Sequence, residues 1–156
     1  ALALFSDQAV GRHLDVLQQH LRVAVRRDLT RRAMVQLQRE EKLQEIIQLV
    51  GPDALSEKDQ AVTFSARMIR EDYLQQSAFD EVDRYCSLEK GYWMLKAILQ
   101  FHEQSQKALE DDFSLDDIKE LSAVNDIARM REIPVEDAME QIRELIEDIK
   151  EGFPKE

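Results

Sequence analysis

A chain of 156 residues is about one domain's worth, long enough for a single sizeable hydrophobic core. Four Gly and three Pro against 34% charged residues point to long helices and argue against strands or disorder. The net charge of −11 is uneven: residues 103–156 carry 7 basic and 17 acidic side chains against 8 and 6 in residues 1–50, which disfavours nucleic acid and anionic membrane surfaces as partners.

The single cysteine, Cys86, excludes an internal disulfide and fits a reducing compartment. No apolar run approaches the roughly 18–20 residues that span a bilayer, and no signal-peptide pattern opens the chain. The chain therefore reads as soluble and cytoplasmic. It begins at Ala1 with no Met, which fits a piece of a longer polypeptide.

Six amphipathic segments are predicted. The first spans about 7–27, with Val10, Leu14, Leu17, Leu21 and Val25 at spacings of 4, 3, 4 and 4. The second spans 29–50, with Leu29, Ala33 and Leu37 followed by Leu43, Ile46, Ile47 and Val50. No Gly or Pro separates the two, so they can equally run on as one helix through Arg26 to Arg32. Gly51 and Pro52 then form a strong stop, because Gly tolerates left-handed dihedrals and Pro lacks an N–H. Ser56, with Asp59 three residues on, resembles a capping box that opens a third helix over 57–76, burying Val62, Ala66, Ile69 and Tyr73.

A loop is expected at 77–86. Ser87 caps a fourth helix to about Lys107, with Leu88, Tyr92, Leu95 and Leu99 on one face. Ser114 and Asp117 repeat the capping-box pattern for a fifth helix to Arg131. Pro134 suits the first turn of a sixth, which buries Ala138, Ile142, Leu145 and Ile149 and ends near Gly152. The fold class is all-α, a compact bundle of five to six helices forming one domain over 1–156. Within it, 1–28 is an unplaced first helix, 29–76 a helix–turn–helix and 77–156 the C-terminal helices.

Catalytic patterns are missing. There is no GxxxxGK[ST] loop to cradle nucleotide phosphates and no GxGxxG. His13, His20 and His102 are scattered, no ExxH pair offers bundle-type metal ligands, and each reads as an ordinary surface or core histidine. Cys86 stands just before a helix N-terminus, where a thiolate could be stabilised, but a small half-buried loop residue is the simpler reading. The acidic pairs Glu40–Glu41 and Asp111–Asp112 fit solvated helix faces. In DALSEKD at 53–59, capping alone accounts for Ser56 and Asp59, and the tip reads as a solvated acidic connection.

Three longer strings carry a resemblance: VQLQREEKLQEIIQLVGPDALSEKD at 35–59, IREDYLQQSAFDEVDRYCSLEKGYWMLKAIL at 69–99, and IARMREIPVEDAMEQIRELIEDIKEGF at 127–153. In order and spacing they resemble the C-terminal part of the catalytic A subunit of V-type and archaeal-type rotary ATPases, over roughly residues 30–153. The resemblance implies a parent protein with an N-terminal β-barrel, a central nucleotide-binding domain and this helical domain. It implies ATP or ADP with Mg²⁺ bound upstream, and ATP hydrolysis or synthesis coupled to H⁺ or Na⁺ transport in the complex. On this segment it implies no catalytic residue, no metal and no cofactor of its own.

DALSEKD also resembles the DELSEED turn of the F-type β subunit, with Ala54 and Lys58 where that motif has Glu. The resemblance implies that Asp53, Ala54, Leu55, Ser56, Glu57, Lys58 and Asp59 contact the coiled coil of a central rotor stalk and pass on the closure driven by nucleotide binding. It implies a place near the adenine ring for Phe79, with Gln76 beside it, and implies neighbouring non-catalytic B subunits and the chain's own upstream domain as further partners. Direct membrane insertion and nucleic-acid binding are not expected. Two other readings stay open on the residues alone: a stand-alone acidic adaptor for a coiled-coil or basic partner, and a helical-bundle enzyme using carboxylates and His102.

Overall fold

A computed structural model describes the backbone of residues 2–75 and 87–153 and the side chains of residues 24–75 and 87–153. The loop expected at 77–86, with Cys86, and the side chains of His13 and His20 lie outside these. Among the described residues there are six α-helices and no strand.

Helix α1 runs unbroken over Leu2–Val50, so the first two predicted segments are one element. Its sequence between Arg26 and Arg32 offers no breaker, and Thr30 spends its hydroxyl on the Arg26 carbonyl of the same helix (3.0 Å). A 3₁₀ turn at Pro52–Ala54 leads to α2 (Glu57–Met68), which widens into a π-helical stretch over Ile69–Leu74. The α-helical part is thus shorter than predicted, and Gln75 N–H closes the wider turn on the Arg70 carbonyl at 2.9 Å.

Helix α3 (Leu88–Glu110) starts where the Ser87 hydroxyl accepts the Lys90 N–H. It ends with Asp112 at φ 61 and Phe113 N–H bonded to the Ala108 carbonyl at 3.0 Å, the 6→1 bond of a Schellman motif. Leu88, expected on the buried face, is 78% exposed, because at the first position of α3 it precedes the stretch that other helices cover.

The predicted fifth helix is two: α4 (Leu115–Lys119) and α5 (Ser122–Arg129), followed by a 3₁₀ turn at Met130–Glu132. Ile118 and Ile127 are both fully buried. They stand nine residues apart, which an unbroken helix would put on opposite faces, about 180° apart. The break at Glu120–Leu121 lets both face the same core. Helix α6 (Val135–Gly152) begins after Pro134 and buries Ala138, Ile142, Leu145 and Ile149, as its spacing predicts.

The core forms around α3, whose Ala97, Ile98 and Phe101 are fully buried against α6, α2 and α1. Phe101 meets Phe153 edge-on at 5.5 Å and Phe64 at 6.3 Å, so one ring joins three elements. Lys90 is also buried, its ammonium donating to the carbonyls of Arg131 (2.5 Å) and Ile133 (2.7 Å) where α5 gives way to α6. Every buried side-chain nitrogen or oxygen among the described residues has a hydrogen-bond partner.

Ile142 has no exposed surface while Met139, one turn away on α6, is 45% exposed. Ile142→Ala is therefore expected to cost about 2–5 kcal/mol in urea denaturation. Met139→Ala should stay within about 0.5 kcal/mol.

Candidate functional site

The turn after α1 is built from backbone requirements upward. Gly51 closes α1 by donating its N–H to the Ile47 carbonyl at 2.9 Å. It does so at φ 91 and ψ 162, a region essentially reserved for glycine. Pro52 follows at the start of the 3₁₀ turn, where its fixed φ suits the geometry and its missing N–H is not needed. Leu55 N–H bonds back to the Pro52 carbonyl at 3.1 Å. The Ser56 hydroxyl then accepts the Asp59 N–H (3.2 Å) and donates to the Asp59 carboxylate (2.8 Å), so the hydroxyl cap forms as expected, while the carboxylate takes the hydroxyl and not the Ser56 N–H that a capping box would use.

The seven residues singled out by resemblance divide by environment. Asp53, Ala54, Ser56, Glu57 and Lys58 are exposed, Asp59 is half-buried, and Leu55 is buried. Leu55 forms a small cluster with Leu43, Val62 and the partly buried Ile47, which seats the turn on α1 and α2. Gln76 and Phe79 lie outside the described residues.

Polar contacts brace the turn on two sides. Asp59 accepts from Arg39 of α1 at 2.7 Å. Lys58 pairs with Glu110 near the end of α3 at 2.9 Å, and Gln106 donates to the Lys58 carbonyl at 3.1 Å. Hydrogen bonding from Ser56 and the Arg39 guanidinium hold the Asp59 carboxyl below its usual range, against a smaller opposing effect of burial. Asp53 and Glu57 form no ion pair among the described residues. Arg39, Gln106 and Glu110 carry no signal in the sequence, since they lie 20, 48 and 52 residues from their partners in the turn.

Beside the turn, α1, α2 and α3 meet in a polar contact. Ser65, buried on α2, has the Ala61 carbonyl at 2.8 Å and the Val62 carbonyl at 3.2 Å as acceptors on its own helix. Its oxygen accepts from the Gln36 amide and shares a hydrogen bond with Nδ1 of His102, 2.8 Å away. A neutral imidazole serves this contact in either tautomer, as acceptor or as donor. Burial first, and then the nearby Arg39 and Arg32, push the His102 pKa down to about 4. Glu40, buried on α1, pairs with Arg70 of the π-helical stretch. No group of three or more His, Cys, Asp or Glu side chains among the described residues is arranged to hold a metal. No helix among them is long and apolar enough to cross a membrane.

Two outcomes follow from this geometry. Nothing lies within 4 Å of a Cβ built on Gly51, so Gly51→Ala tests backbone strain alone and should cost about 1–3 kcal/mol in thermal denaturation. Gly152→Ala, also in open space and without positive φ, should not destabilise. For His102, the folded pKa lies below the unfolded value of 6.5, so the unfolded chain binds the extra proton between them. Its contribution to stability is complete above pH 6.5 and is lost as pH falls toward about 4. His102→Gln should flatten the pH dependence of the melting temperature in that window, and the imidazole NMR titration should have its midpoint near 4.

The family described as the C-terminal domain of V and A type ATP synthase matches residues 26–119, which include α1 from Arg26, the turn, α2, α3 and α4. Curated relatives, each the A subunit of an A-type ATP synthase, align over most of the chain. That of Methanopyrus kandleri is 52% identical over 127 residues, 81% of this chain and 22% of its own length. That of Methanosphaera stadtmanae is 48% identical over 130 residues, 83% of this chain and 22% of its own length. That of Staphylothermus marinus is 44% identical over 127 residues, 81% of this chain and 22% of its own length. The chain thus spans about a fifth of the length of the relatives it matches. With a turn, caps and helix order that fall inside the matched region, this chain belongs to the C-terminal domain family of V and A type ATP synthases.

Proposed function

We propose that this chain is the C-terminal helical domain of the A subunit of an A-type ATP synthase and that its 53–59 turn is a mechanical contact on the central rotor stalk. The parent protein binds ATP or ADP with Mg²⁺ in an upstream domain and couples its hydrolysis or synthesis to ion transport. Closure of that upstream domain swings this one inward, and the turn pushes the stalk's coiled coil. Non-catalytic B subunits flank it in the soluble sector, on the cytoplasmic side of the membrane. Phe79, with Gln76, contributes an adenine contact on the upstream side.

The observation that carries this reading is a turn that is exposed at its tip and braced at its base. Asp53, Ala54, Glu57 and Lys58 stand in solvent while Leu55 is buried and the flanking helix ends are capped. Two of the turn's four charges, Lys58 and Asp59, are already paired within the domain. What remains to face a partner is the two acidic side chains Asp53 and Glu57 on a braced loop, and the push itself is steric. Exposed ion pairs contribute at most about 1 kcal/mol and exchange readily, which lets a tip slide without sticking.

The test is made in an assembled synthase whose A subunit carries this domain. Leu55→Ala removes the seat of the turn at a local cost of about 2 kcal/mol, the low end for a buried leucine in a small cluster. ATP hydrolysis should persist while ions pumped per ATP fall. A Glu57→Ala, Lys58→Ala double variant, which removes charge but not the seat, should pump nearly as the wild type does. Unimpaired coupling after Leu55→Ala would overturn the lever.

A further inference from the structure

Two side-chain amides reach the backbone of the 53–59 turn from beyond it. Gln60, half-buried in the first turn of α2, donates its side-chain N–H to the Leu55 carbonyl at 3.1 Å, while its backbone N–H bonds to the Ser56 carbonyl at 2.9 Å. One residue thus holds two successive carbonyls of the turn. Gln106, half-buried on α3, donates to the Lys58 carbonyl at 3.1 Å from 48 residues away in sequence. Ser105 and Ala108, on either side of Gln106, are buried, so the helix that carries it is a fixed reference for the turn.

The ion pairs of the turn end on side chains instead. Arg39 meets the Asp59 carboxylate and Lys58 meets Glu110, and Arg39, Lys58 and Glu110 are all exposed. A long exposed side chain can keep such a pair while the backbone behind it shifts, and the pair itself contributes little. A hydrogen bond to a carbonyl places the main chain directly, because no side-chain torsion lies between acceptor and backbone. The buried Leu55 side chain anchors the turn at one point, and one point leaves it free to tilt. The amides of Gln60 and Gln106, on two different helices, supply the second and third.

We propose that Gln60 and Gln106 are positioning residues for the contact that the turn makes, setting the angle at which Asp53, Ala54 and Glu57 are presented. They act through the backbone of residues 55–58. The part of Lys58 that matters is then its carbonyl, which a change of its side chain leaves in place. This inference rests on the reading of the turn as a mechanical contact.

The first arm of the test uses the 156-residue chain. Met is close to Gln in length and lacks the donor, so Gln60→Met with Gln106→Met removes both bonds and little volume. Amide exchange followed by NMR should quicken about fivefold or more at Leu55 and Gln60, with circular dichroism melts showing that the fold is kept. Arg39→Met with Lys58→Met, which removes the ion pairs, should change it much less. The second arm is the assembled synthase whose A subunit carries this domain. There the glutamine double variant should lower the ions pumped per ATP while hydrolysis persists, and Gln106→Arg, which keeps an N–H donor, should restore what Gln106→Met loses. Unchanged exchange in the glutamine double variant, or equal quickening on loss of the ion pairs, overturns the proposal. So does intact coupling in that variant when Leu55→Ala lowers coupling, which leaves the lever standing without these two residues. If Leu55→Ala is silent as well, the lever falls and the positioning role falls with it.

Discussion

Helix α3 is covered by α1, α2 and α6, and that burial constrains every other element. Ala97, at no exposure, lets a neighbouring backbone come close, while Ile98 and Phe101 fill the space on either side of it. Burying each large apolar side chain of this kind is worth about 1.5–3 kcal/mol, so the helix is held by its tertiary contacts more than by its intrinsic propensity. Helix α6 lies along it with an unbroken apolar face, and the short α4 and α5 are bent so that Ile118 and Ile127 reach the same core. The end of α3 in turn supplies Gln106 and Glu110, which hold the 53–59 turn from behind.

Apolar packing alone would allow α1 to slide or rotate against α2. The polar residues on its buried stripe remove that freedom. Gln36 must meet Ser65, and Glu40 must meet Arg70, or a buried amide loses its partner and a buried carboxylate keeps only the 3.5 Å bond from Gln44. Such a mismatch costs about 1–3 kcal/mol for a neutral group and more for a charge, which is large beside the marginal stability of a domain. Replacing a paired set with hydrophobic residues can be neutral, so these pairs are better understood as fixing register than as adding stability. Lys90 does the same between α3 and the α5–α6 junction, reaching two carbonyls that the 3₁₀ turn leaves open.

Much of this was legible in the sequence wherever the cause was local. Ser56, Ser87 and Ser114 announce helix starts because a hydroxyl at that position can accept a nearby N–H, and all three do. Gly51–Pro52 announces a stop for equally local reasons. The break between α4 and α5 was hidden, since no Gly or Pro marks it and only the demand that both isoleucines face one core produces it. The continuity of α1 was left open by a sequence that has no Gly or Pro near Arg26–Arg32 but does hold Asp28 and Thr30, residues that can cap a helix start. At the candidate site the caps were readable, but Arg39, Gln106, Glu110 and the Ser65–His102 contact were not. They are set by how distant helices cross, and periodicity within one helix carries no record of that.

Two exposed features lie close together, the turn at the C-terminal end of α1 and the apolar positions just before it, and they differ in how the domain holds them. The turn is held by contacts within the domain: Leu55 in a small apolar cluster, Asp59 with Ser56 and Arg39, and the exposed Lys58 with Glu110. The apolar positions have the opposite character. Ile46 and Leu49 bury little within the domain and Lys42 has no ion pair among the described residues. Leu49 stands two residues before Gly51, so the exposed apolar positions of α1 run up to the base of the turn.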